Sequence, residues 1–163
     1  MIYIVCLIVA SGVLSLDLLT KYLAVKNQFN VVVIPNLLKF KLSYNTGAAF
    51  SFLGDKDWAR TFFIVLTTII CVVLLTMFIF SFIKNKNVSK WLMIALSLIF
   101  AGAVGNLIDR IFLGVVRDFI FVFYETEIFP AIFNVADVSL VVGVSMICVY
   151  LLFLDKDALF RKK

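Results

Sequence analysis

The stretch TFFIVLTTIICVVLLTMFIFSFI, Thr61 to Ile83, runs for 23 residues without one charged side chain. As a helix rising 1.5 Å per residue it is long enough to cross a hydrocarbon core about 30 Å thick. A water-soluble domain has nowhere to put such a segment, so this stretch decides the fold as membrane-embedded. The composition agrees. Of 163 residues, 64% are apolar, 15% are charged and 18 are Phe, and mean hydropathy is +1.13. A soluble domain carries roughly a quarter charged residues to cover its surface, and here lipid must do much of the covering.

Working outward, three more apolar runs qualify as spans, at about 1–25, 91–111 and 138–154, beside 61–83. The expected class is a membrane α-helical protein with four transmembrane helices, forming a single integral membrane domain over residues 1–163. The first run has no basic residues at its start and no A-x-A-like cleavage site after it, so it reads as a helix of the mature protein and not as a signal peptide. The fourth is short at its uncharged core and borrows a turn from NVAD before it and DKDALF after it.

Lys and Arg near the span ends predict orientation. The connector KNKNVSK contains Lys84, Lys86 and Lys90 with no acid, and the tail after the fourth span carries Lys156, Arg161, Lys162 and Lys163. Both are expected in the cytoplasm, which puts both termini there and residues 26–60 and 112–137 outside. In the first outer segment, LKFKLSY alternates with period two from Leu38 to Tyr44, and NVVVIPNL supplies β-branched residues and a turn signal. A small β-cradle on the membrane surface, about 30–53, is expected, with GVVRDFIFVFY, Gly114 to Tyr124, as a second candidate strand. GDKDWAR, Gly54 to Arg60, reads as an interfacial segment because Trp58 sits beside charges.

The composition excludes several function classes. The net charge of +5 is not gathered into a basic stripe with interleaved aromatics, so no nucleic acid partner is expected. Cys6, Cys71 and Cys148 lie inside apolar runs without CxxC spacing, which disfavours metal ligation and disulfides. There is no histidine, which removes the Ser-His-Asp and Cys-His mechanisms and the HExxH zinc site. Any hydrolytic chemistry must rest on carboxylates, lysine or a bound metal.

The polar residues in and beside the spans are therefore the candidates, because ionisable groups in a bilayer are costly and usually partnered. Asp17 and Lys21 are four apart and share a helix face. They read either as functional groups or as a structural ion pair with Lys21 snorkelling to the interface. Asn106 and Arg110 repeat that spacing, with Gly102 and Gly105 making the face small enough for a neighbouring helix. YNTGAAF, Tyr44 to Phe50, alone is only a turn signal.

Asp118 in VVRDFI and Asp137 in FNVADVSL are the sharper pair. Taken singly, one is a loop charge and the other a cap at the start of the fourth span. Brought to the same depth in an apolar setting, two carboxylates share a proton. One then takes a proton from water while the other polarises a carbonyl, the aspartic-protease arrangement. Two other readings compete: a small proton-coupled transporter using the aspartates as a carboxylate relay, and a packing subunit held by the small-residue face of the third span.

Taken in order, DLLTK, YNTGAAF, GNLIDR, VVRDFI and FNVADVSL resemble the motif blocks of the lipoprotein signal peptidases, the signal peptidase II family of bacterial membrane aspartyl peptidases. The resemblance runs from about residue 17 to 140. It implies four transmembrane helices with a β-cradle on the outer face of the bacterial cell (inner) membrane. It also implies cleavage of prolipoprotein signal peptides before the diacylglyceryl-modified cysteine. By motif it implies Asp118 and Asp137 as the catalytic pair, with Asn134 positioning that pair or the substrate backbone. Asp17, Lys21, Asn45, Gly47, Gly105, Asn106 and Arg110 are implied to support the site or contact substrate. No metal or organic cofactor is implied, membrane lipid is a partner, the chain is expected to act as a monomer, and the cyclic peptide globomycin is the family's inhibitor. One residue departs from the pattern. Arg117 stands where the family commonly has an apolar residue: an extended backbone would turn it away from Asp118 toward a lipid headgroup, whereas a backbone that is not extended would leave its charge beside Asp118, lowering that pKa and weakening the shared-proton account.

Overall fold

A computed structural model describes residues 1–47, 58–84, 89–124 and 131–155 of the chain. Helix α1 covers Ile2–Lys26, strands β1 and β2 cover Asn30–Ile34 and Leu38–Asn45, and α2 covers Ala59–Ile83. Helix α3, Lys90–Phe112, is followed by β3, Val116–Val122, and β4, Ala131–Phe133. Helix α4, Val135–Val149, ends in a π-helical turn, Tyr150–Leu154. Among the described residues, four helices are long and apolar enough to cross a membrane, close to the positions expected. The tips of the expected β segment and of YNTGAAF, most of GDKDWAR, Lys86 and the basic tail lie outside the described residues.

Helix α3 is the axis of the bundle. It is the most buried of the four spans, and α1, α2 and α4 all pack against it. Small residues make the closest of these approaches possible. A side chain at Gly102 would run into the Ala136 carbonyl oxygen at 2.5 Å and the Ser139 hydroxyl, and one at Gly143 would meet Ile99 at 2.6 Å and the Ala95 carbonyl at 2.8 Å. With lipid tails as apolar as the helices themselves, this close backbone packing is what holds α3 to α4. Helix α2, the uncharged stretch, exposes most of its large apolar side chains, as a lipid-facing helix must.

The four strands form one antiparallel sheet in the order β1-β2-β3-β4. β1 and β2 are joined by a tight turn in which Asn36 takes a positive φ of 60°, a conformation that Asn tolerates. Phe29 packs against Phe40 and Phe119, with ring centroids 6.1 and 6.2 Å apart, and ties the end of α1 to the sheet. Strand β4, only three residues long, was not anticipated, because three residues carry no readable alternation. It pairs Phe133 with Ile120 and delivers the chain directly to the start of α4.

The helix of the fourth span begins at Val135, ahead of the apolar core at 138, and so takes the expected turn from NVAD; its N-cap, however, is Asn134 and not Asp137. Asn134 accepts the Asp137 N–H at 2.9 Å, while the Asp137 carboxylate accepts the Asn134 N–H at 3.1 Å, a reciprocal capping box. Asp137 thus caps from the third helical position.

Gly102→Val is expected to force α3 and α4 apart and to destabilise the protein by about 1–3 kcal/mol, as overpacking does. Thermal unfolding of the purified protein in detergent measures it.

Candidate active site

The sheet delivers one aspartate and the helix beside it delivers the other. An irregularity in register between Phe40 and Ser43 sets Ser43 across from Asp118, and the β3-β4 pairing brings Asp137 alongside through Asn134. Both aspartates line one cavity of about 550 Å³. Its polar end holds Asn45, Asn106 and Arg110 with the two acids, and Ile70, Ile99, Leu140 and Val141 continue it between α2, α3 and α4 as an apolar trough.

Three asparagines hold the carboxylates. Asn134 Nδ2 donates to Asp118 Oδ1 at 2.7 Å, and Asn45 Nδ2 donates to Asp118 Oδ2 at 3.1 Å. Asn106 Nδ2 donates to Asp137 Oδ1 at 2.8 Å, and Asn106 Oδ1 accepts from Asn134 Nδ2 at 3.1 Å. Both oxygens of Asp118 and Oδ1 of Asp137 thus each accept from a neutral side-chain amide. Burial pushes the Asp118 carboxyl up to about 6, and the nearby Asp137 charge adds to this. Hydrogen bonds from Asn45 and Asn134 and the charge of Lys21 oppose it.

Behind the asparagines lies a buried ionic layer. Lys21 Nζ is 2.8 Å from Asp17 Oδ2 and 3.5 Å from Asp109 Oδ2, and it donates to Asn106 Oδ1 at 3.0 Å. Both members of the Asp17–Lys21 pair are fully buried, so Lys21 points inward and does not snorkel. The reason is that three acceptors surround its ammonium inside the bundle. Asp17 Oδ1 accepts the Ala136 N–H at 2.9 Å, tying α1 to the first turn of α4. Gly105 makes room for this: a Cβ there would sit 2.6 Å from Asp17 Oδ2.

Arg110 lies beneath the loop after β2. It donates to the Gly47 carbonyl at 2.9 Å and stacks over Phe63 at 5.3 Å from the ring centroid. Gly47 N–H donates back to Asn45 Oδ1 at 2.9 Å, so the Asn-Thr-Gly turn orients the amide that holds Asp118. All ten residues singled out from the sequence therefore meet in one network.

One further participant, Asp109, and the partner of Arg117 do not follow from the sequence pattern. Asp109 is fully buried; it lies three residues from Asn106 and so on the same helix face, and that spacing is the signal for it in the sequence. Arg117 is on an extended strand and turned from Asp118, as expected, but it does not reach toward a headgroup. It donates to Asp109 from its main-chain N–H at 2.9 Å, from Nε at 3.2 Å and from its terminal nitrogen at 2.5 Å. The nearest buried anion captures it.

Four apolar spans, a small sheet at one end and two carboxylates at the sheet end of one cavity define a multi-pass membrane protein with a paired-acid site. Comparisons with known proteins narrow the class. The profile of the family described as signal peptidase (SPase) II matches residues 9–153. The lipoprotein signal peptidase of Pseudomonas paraeruginosa (strain PA7) is 42% identical over 119 residues, covering 72% of this chain and 68% of its own. That of Acinetobacter baumannii (strain ATCC 17978) is 40% identical over 145 residues, covering 87% and 80%. A bacterial membrane enzyme solved by the in meso method at 2.3 Å superposes with a TM-score of 0.78 at 35% identity, covering 98% of this chain and 93% of that one. The chain belongs to the signal peptidase II family, and is a bacterial multi-pass membrane protease.

Lys21→Met is expected to destabilise the protein by roughly 3 kcal/mol or more, because it leaves buried carboxylates without their cation. Loss of the folded, monodisperse species on size-exclusion chromatography, or a large fall in unfolding temperature, is the readout.

Proposed function

We propose that this protein removes signal peptides from prolipoproteins, cleaving before a diacylglyceryl-modified cysteine with a water activated between Asp118 and Asp137. The observation that carries the reading is the pair itself: two aspartates on adjoining elements, each held by asparagine amides, at the polar end of a cavity whose other walls are apolar. A peptide attached to acyl chains needs both environments at once. The carboxylate-relay reading of a transporter finds no support: Asp109 lies in the last turn of α3, Asp118 on β3, and Asp17 is tied to the first turn of α4, so the buried carboxylates form one cluster toward the sheet and do not extend across the bundle.

The proton is assigned to Asp118, the acid pushed up by burial. Asp137 takes a proton from water as the water oxygen attacks the scissile carbonyl, and Asp118 gives its proton to the carbonyl oxygen. The tetrahedral diol collapses, the C–N bond breaks, the amine takes the proton held by Asp137, and a diol proton returns to Asp118. No covalent intermediate forms. Asn134, Asn106 and Asn45 hold the two acids, while Asp17, Lys21, Gly105, Arg110 and Gly47 support those amides. The chain acts as a monomer in the cell (inner) membrane, in contact with lipid. Both termini are cytoplasmic, a reading supported by Lys84 and Lys90 at the end of the bundle away from the sheet, and the site lies near the outer face.

Asp118→Asn and Asp137→Asn are each expected to give folded protein that has lost at least about a hundredfold in cleavage of a lipid-modified precursor. Retention of most of the rate by either variant would sink the pair. Because Asp118 must stay protonated, kcat/KM should fall as pH rises through about 6, the pKa of the free enzyme. A flat profile across that range speaks against the assigned proton. Orientation is read by thiol labelling of a single cysteine placed at position 87 in an otherwise cysteine-free protein. Labelling from the cytoplasmic side is expected, and labelling only from outside overturns the topology.

A further inference from the structure

Asp109 and Arg117 have no part in the mechanism above, yet they form the most densely bonded side-chain pair beside it. On α3, Asn106 and Asp109 are three residues apart and share a face. Asn106 holds the Asp137 carboxylate at 2.8 Å. Asp109 holds the main-chain N–H of Arg117, the residue bonded directly to Asp118, at 2.9 Å. One helix therefore grips both aspartates, one through its side chain and the other through the preceding peptide. Asn134 Nδ2 adds a longer contact to the Arg117 carbonyl at 3.4 Å.

Charge gives the side chains a second role. Asp17 and Asp109 are both fully buried, and Lys21 is the cation between them, at 2.8 and 3.5 Å. Two anions against one cation leave a negative charge in excess, and the Arg117 guanidinium, 2.5 Å from Asp109 and largely buried, cancels it. Among the described residues, the charged groups around Asp118 are Asp137 on α4, Lys21 and Asp17 on α1, Arg110 and Asp109 on α3, and Arg117 on its own strand. Strand β2 offers neutral Ser43 and Asn45.

We propose that the Asp109–Arg117 pair is a charge-compensated clamp that positions Asp118 for the reaction, making both of them positioning residues. The main-chain bond sets where β3 lies against α3. The side-chain bonds hold the guanidinium on the far side of the strand, with its charge matched by Asp109, so Asp118 sees neither an extra cation nor an extra anion. This rests on the reading of Asp118 as half of the catalytic pair.

The test is the pH dependence of kcat/KM for cleavage of a lipid-modified precursor by the full-length Arg117→Val, Asp109→Asn and doubly substituted proteins. Arg117→Val keeps the main-chain bond and places a strand-favouring residue in a strand, so a folded protein is expected, with thermal unfolding as the check. It removes a cation near Asp118, so the alkaline limb should move to higher pH by roughly one pH unit, with kcat reduced several-fold and KM little changed. Asp109→Asn removes an anion and should move the limb to lower pH, while the double variant should return it close to the unsubstituted position. Arg117→Lys should also restore the limb.

An unchanged limb and kcat in Arg117→Val overturns the clamp, and so does movement of the limb in the same direction by both single variants. If Asp109→Asn does not fold, Arg117→Val and Arg117→Lys decide alone. Asp118→Asn, assayed alongside, separates the two failures. If it is inactive while Arg117→Val behaves like the unsubstituted enzyme, the clamp falls and the pair stands. Activity in Asp118→Asn means that the pair itself was wrongly assigned.

Discussion

The ammonium of Lys21 is the group on which the rest of the site depends. A buried cation is tolerable only when its attraction to fixed acceptors outweighs the loss of water. Here the acceptors are Asp17 on its own helix and Asn106 and Asp109 on α3. Meeting that requirement pins α1 to α3 at one rotation and one depth. Asp17, once held, accepts the Ala136 N–H and brings in the first turn of α4. Asn106, once its carbonyl oxygen is taken by Lys21 and Asn134, has only its NH₂ left to offer, and that points at Asp137. The amide orientation that serves the acid is thus set by a charge one layer behind it.

Around this hub the apolar and polar demands of a membrane protein are kept apart along one axis. Along the helices, association rests on small residues, with Gly102 against the first turns of α4 and Gly143 farther from the sheet letting α3 and α4 touch. At the sheet end the same helices carry the buried charges, and the sheet closes over them, so that backbone groups outside the helices pair with one another and not with lipid. The cavity spans the boundary between these regimes, which is why a single site has asparagine amides at one end and Ile99, Leu140 and Val141 at the other.

Particular residues show how far the sequence could be read. The four spans were legible because about twenty apolar residues in a row have one physical solution in a bilayer. Asp118 and Asp137 were legible as candidates because a chain without histidine has few other groups that could do hydrolytic work. The Asp17–Lys21 pair was legible from helical spacing, but its inward direction was not, since snorkelling and burial use the same side chain and differ only in what surrounds it. Asp109 was missed for a related reason. Its partner, eight residues on, sits on a strand, and no helical or strand period links the two positions. β4 was missed because three residues are too few to show a pattern, although they carry Asn134 to its place.

By itself the sequence determined the membrane class, the number and approximate placement of the spans, the alternating strands before and after the middle helices, and the short set of polar residues able to carry chemistry. These follow from local periodicity and from the cost of polar groups in lipid, both of which are written along the chain. Only the tertiary structure decided which carboxylates face one cavity, that Asn134 and not Asp137 is the cap of α4, and that Arg117 turns to Asp109. Those outcomes depend on contacts between residues far apart in sequence, where several partners are chemically acceptable and packing of α1, α3 and α4 selects one.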